Sequence, residues 1–113
     1  MKINLSLMCF LSVTAFCSIN VYASPQTESK VSFVGVNSAE MIFVQLETSP
    51  GEIGCIGNQL LIPADSGIKE KILSIALTAK AANSTIVIKT NGCYTGSPSI
   101  LKNATDPGYF YIK

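Results

Sequence analysis

Only one stretch of this chain, "DSGIKEKILSIALTAKAAN" at residues 65–83, spaces its apolar residues for a helix. Ile68, Ile72, Ile75, Ala76 and Ala79 fall on one face of a 3.6-residue period. Asp65 or Ser66 is the N-cap candidate and Asn83 the stop. On either side the mature sequence consists of short β-branched and aromatic runs broken by Gly, Pro, Asn and Ser. The chain is thereby constrained to a mainly β fold with one helix.

Before the helix, "KVSFVGVN" and "EMIFVQLET" predict two strands joined by a hairpin at Asn37-Ser38-Ala39. The second run is apolar without interruption from Met41 to Val44, which predicts a central strand covered on both faces. "SPGEIGCIGNQLLIP" turns at Ser49-Pro50-Gly51 and then predicts a bent, Gly-rich third strand around Cys55, with a short apolar piece ending at Pro63. After the helix, "STIVIKT" is a fourth strand, with Ile86 and Ile88 on one face and Thr85, Val87 and Lys89 on the other. "PSILKNA" and "GYFYIK" read as final strands across a turn from Asn103 to Gly108. Residues 24–30, "SPQTESK", are polar and are expected to form a mobile terminus. Five strands with the helix between the third and fourth is the layout of an OB-fold, a small, partly open Greek-key barrel. Other small α+β arrangements fit the same order of elements.

The amino terminus has the pattern of an export signal. Lys2 precedes a mostly apolar run over residues 3–19, and Val21-Tyr22-Ala23 places small residues where a signal peptidase reads. Cleavage is expected after Ala23, leaving residues 24–113 as a single periplasmic or secreted domain. A membrane anchor is the competing reading, but Asn4, Ser6, Ser12, Thr14 and Ser18 interrupt a stretch already short for about 30 Å of hydrocarbon. A lipid anchor on Cys17 is disfavoured by the bulky Phe16 before it.

Loss of Lys2 takes the eight lysines to seven, against seven acidic residues, and the chain has neither arginine nor histidine. Such a neutral domain lacks the basic surplus that nucleic acids and anionic membranes require.

Cys9 and Cys17 leave with the signal, so Cys55 and Cys93 remain. In an oxidising compartment they predict one disulfide, worth about 3 to 4 kcal/mol in the chain-entropy model. Two thiols without histidine do not close a zinc site, and Cys-x-x-Cys redox spacing is absent. Nucleophilic triads are excluded on the same composition. The acids at Glu40, Glu47, Glu52, Asp65, Glu70 and Asp106 are scattered. The expectation is a non-catalytic protein that uses no cofactor and no metal.

Two surfaces stand out. On the helical wheel Leu73 and Leu77 lie about 140° and 180° from Ile68, forming a second narrow stripe. That stripe is either the margin of a wide core face or a subunit interface. "TNGCYTGS" gathers Thr90, Asn91, Tyr94, Thr95 and Ser97 on a disulfide-anchored loop. Tyr94 with Asn91 and Thr95 suits a sugar's apolar face and polar rim, or else is a turn whose tyrosine packs at the edge of the fold. The sequons at Asn83 and Asn103 read first as helix-stop and turn residues; glycosylation would need a host that performs it.

The first strand "KVSFVGV", the mid-chain "GC", the helix "IKEKILSIALTAKAAN", the strand "STIVIKT" and the final "PSI" together resemble the pertussis-like B subunits of bacterial toxins, most clearly from Ile68 to Ile100. The resemblance implies OB-fold subunits in a pentameric ring that bind cell-surface glycans and carry a separate catalytic A subunit. It also implies a sugar contact at Ser32, in the first strand. The alternative is a stand-alone periplasmic or secreted OB-like domain that binds or inhibits a protein partner. A purely structural secreted domain is a third reading.

Overall fold

The computed structural model describes residues 24–102 and 105–113. The expected signal peptide, with its cleavage point, Cys9 and Cys17, and the Asn103 sequon lie outside the described residues. The chain forms β1 (Thr27–Ser29), β2 (Val31–Val36), β3 (Ile42–Leu46), β4 (Gln59–Ile62), α1 (Lys69–Ala82), β5 (Ile86–Lys89), β6 (Gly92–Tyr94), β7 (Ser97–Ser99) and β8 (Tyr109–Ile112). All strand pairs are antiparallel, in two three-stranded sheets ordered β1-β5-β8 and β2-β3-β4 and a two-stranded β6-β7 ribbon.

The mainly β, one-helix class is as expected, but the count and closure differ. Among the described residues eight short strands stand where five were expected, the helix follows the fourth, and the sheets are not hydrogen-bonded into one closed barrel. The two sheets are instead joined through the extended run Thr27–Val36, which changes partner at Lys30. Ser29 is buried at that corner, donating to the Lys30 carbonyl at 2.9 Å and accepting the Thr48 N–H at 3.0 Å.

The β2–β3 hairpin forms where the sequence places it. Asn37 Oδ1 accepts the Ala39 and Met41 N–H groups at 3.0 and 3.1 Å, an Asx-type closure. β3 is central in its sheet, as its composition requires. Its faces are unequal, however: Ile42, Val44 and Leu46 are buried, while Phe43 is half-buried beside Phe33 in an edge-on pair, 6.2 Å between centroids. α1 packs Ile72, Ala76 and Ala79 against a core that includes Val44, Leu60, Ile86, Ile88 and Phe110.

Three further expectations are corrected. Residues 24–30 are not a loose terminus: β1 pairs with β5 from Thr27↔Ile88 to Ser29↔Ile86, so a polar segment is held as an edge strand by its backbone. Residues 51–58 are turns rather than a strand, because Gly54 and Gly57 adopt left-handed φ angles of 84° and 87° that a strand does not contain. The helix starts later than Asp65 or Ser66. Its N-cap is Ile68, and the Ser66 hydroxyl accepts the Ile68 N–H at 3.3 Å from one turn further out. Asn83 does stop the helix, in the left-handed conformation, with its N–H on the Ala79 and Lys80 carbonyls.

Candidate functional site

The β6–β7 ribbon is built around a two-residue turn, Thr95-Gly96, in which both residues have positive φ, 49° and 86°. That twist is the one two-residue hairpins favour. Cys93 on β6 is bridged to Cys55 with Cα atoms 5.5 Å apart, and the Ile56 N–H donates to the Gly96 carbonyl at 2.8 Å. The glycine-rich loop and the ribbon thus brace each other, fixing Tyr94 immediately after the bridge.

Tyr94 lines a half-open cleft of about 610 Å³ together with Pro63, Asp65, Ser66, Gly67, Ile100, Leu101 and Lys102. Two smaller depressions, of 410 and 160 Å³, share residues with it and continue along the start of α1 towards Phe110. The floor is apolar, from Ile100 and Leu101. Around it stand a phenol, a hydroxyl, a carboxylate and an ammonium, from Tyr94, Ser66, Asp65 and Lys102. Among the described residues neither Asp65 nor Lys102 is in an ion pair.

The residues singled out from sequence separate. Asn91 spends its amide on the backbone, accepting the Leu101 N–H at 2.6 Å and donating to the Leu101 carbonyl at 2.9 Å; it positions the cleft floor rather than lining the cleft. Thr95 is exposed at the turn, its hydroxyl donating to the Tyr94 carbonyl at 2.7 Å. Ser32 sits at the β-bulge between Val31 and Phe33 and is on no wall of the three depressions. Leu73 packs at the margin of the core, whereas Leu77 is 50% exposed. Asp65 and Ser66 were legible only as N-cap candidates and Lys102 carried no signal; no spacing in the sequence announces their meeting with Tyr94.

Glu52 has a different role from the scattered acid its position suggested. Its carboxylate accepts the Ser24 hydroxyl at 2.7 and 2.9 Å and the hydroxyl of fully buried Thr90 at 2.5 Å. It ties the segment before β1 to the segment after β5.

Among the described residues no group of three His, Cys, Asp or Glu side chains is placed to hold a metal ion, and no helix is long and apolar enough to cross a membrane. The cleft presents binding groups arranged around an apolar floor. Comparison with known proteins returns no match: no family model, no curated protein and no solved structure aligns with this chain.

Proposed function

We propose that this chain is an exported, non-catalytic binding subunit that takes a cell-surface glycan in the cleft beside Tyr94. The observation that carries this reading is the convergence of Tyr94, Asp65, Ser66 and Lys102 on one apolar-floored cleft. A sugar lays its C–H surface on a phenol ring and its hydroxyls against such polar groups. The Cys55–Cys93 disulfide is compatible with an oxidising compartment.

The same proposal includes assembly into an OB-like ring with a separate catalytic A subunit, as the resemblance to pertussis-like B subunits implies. Leu77, exposed on α1 where Leu73 is already engaged with the core, supports an interface there. Light scattering on the exported, oxidised chain is expected to give five times the protomer mass. A monomer would instead favour the stand-alone domain that binds a protein partner.

The binding claim has its own test on a glycan array. Tyr94→Ala is expected to weaken retained glycans by about tenfold, near 1.4 kcal/mol, without changing the thermal midpoint appreciably. Undiminished binding by that variant would remove the cleft from the proposal.

A further inference from the structure

The β1-β5-β8 sheet turns Ile86, Ile88 and Phe110 towards the core. Its other face carries a row of Glu28, Val87 and Tyr111, in register across the three strands. Tyr109 lies beside Lys89, two residues away from that row, and the Tyr109 hydroxyl donates to the Gln26 side-chain carbonyl beyond β5.

Val87 is only 1% exposed, yet it stands outside the core cluster. Its register partner on β8, on the same outer face, is Tyr111. Lys89, which the Tyr109 side chain passes on its way to Gln26, has a side chain only 15% exposed. The two rings are 5.9 Å apart between centroids and tilted by 34°, and both stay open to solvent. Together they form a shallow aromatic platform laid across the strands.

The charges around the platform are already engaged. Glu28 pairs with Lys113 at 3.0 Å, and Lys89 pairs with Asp106. What remains for a ligand is two ring faces, two phenol oxygens and the Gln26 amide N–H donors, which make no hydrogen bond to the described residues. That set is electrically neutral, apolar in the middle and hydrogen-bonding at the edge. Two rings are also far smaller than the roughly 800 Å² per partner that a stable protein interface requires, so the occupant is a small molecule.

We infer that Tyr109 and Tyr111 form a second carbohydrate-binding surface, taking a neutral pyranose whose continuous C–H face stacks on the rings and whose hydroxyls meet Gln26. It uses the ligand class proposed for the cleft but rests on side chains that do not line the cleft beside Tyr94, although Tyr109 also borders the smallest depression along α1, so either site can fail without the other.

The test is a titration of the full oxidised chain with methyl β-galactopyranoside, followed by the NMR signals of the tyrosine rings and by saturation transfer to the sugar. The Tyr109 and Tyr111 signals are expected to shift and Tyr94→Ala to leave them shifting. Tyr111→Ala should weaken binding by about fivefold or more. Tyr111→Phe, which keeps the ring beside Tyr109, should bind nearly as the parent does, and it serves as the folded control should the alanine variant lose structure. Unshifted Tyr109 and Tyr111 signals at millimolar sugar would overturn the inference. So would saturation transfer abolished by Tyr94→Ala alone, or a preference of the platform for a proline-rich peptide.

Discussion

Replacing Cys55 and Cys93 together by serine is expected to lower the unfolding free energy by about 3 to 4 kcal/mol, the largest loss from any exposed change in this domain. The bridge closes a separation of 38 residues, and its removal returns that loop's freedom to the unfolded chain. Apart from the Glu52 carboxylate, the bridged loop has few other ties: Ile53 and Ile56 are exposed, and a single backbone bond, from Ile56 to Gly96, joins it to the ribbon. Net stabilities of folded domains are only about 5 to 15 kcal/mol, so the variant should unfold at much lower urea. Tyr94 adjoins the bridge, and the variant should therefore also lose cleft binding under conditions where most molecules remain folded. Equal urea midpoints for the oxidised parent and the serine variant would show that the loop is held by something else.

Glu52→Ala is expected to cost about 2 to 3 kcal/mol, far more than the few tenths typical of a surface acid. The carboxylate accepts hydrogen bonds from Ser24 and Thr90, and Thr90 has no access to water that would replace it. An orphaned buried hydroxyl carries its full desolvation cost. Glu52→Gln keeps an acceptor and should lose less, and Glu47→Ala, at an exposed position, should lose almost nothing. A cycle pairing Glu52→Ala with Thr90→Val isolates the interaction: the double variant should be less destabilised than the two single effects added. Strict additivity would mean that the two side chains do not cooperate.

The parts of the fold that were legible in sequence share a physical cause. Ile72, Ala76 and Ala79 repeat with the helical period, Asn37 and Asn83 have side chains and backbones suited to a turn and a left-handed stop, and Cys55 and Cys93, once Cys9 and Cys17 are set aside with the expected signal, have only each other as partners. These signals are local or combinatorially forced. β1 was missed because nothing in "SPQTESK" is hydrophobic. The segment is ordered by ladder bonds to β5 and by Glu52, a carboxylate 28 residues from Ser24 in sequence. The Cys55 segment failed as a strand for a related reason: its glycines were read as a bend within an extended run, whereas two of them take φ values that end the run.

At the cleft, sequence supplied Tyr94 and its anchoring but not its neighbours. Asn91 reads as a ligand group because an amide near a tyrosine suits a sugar, but its two hydrogen bonds to the Leu101 backbone consume both of its polar ends. Tyr109 and Tyr111 are two residues apart on β8, a spacing that puts both on one face of the strand. That Gln26 would lie across from them depends on β1, the strand the composition concealed.

The division of the strands between two sheets also sets an order of events. β2, β3 and β4 follow one another along the chain and pair with their neighbours, so this meander has all its partners once residue 62 is made. β1 has to wait for β5, some sixty positions later, and β5 in turn gains its other neighbour only with β8 at the end of the chain. Non-local pairings of this kind form slowly, because loop closure precedes any contact that rewards it. A molecule caught midway would hold a formed meander with its first strand unpaired and its two cysteines still apart. The last third of the chain thus decides when Thr27–Ser29 becomes structured.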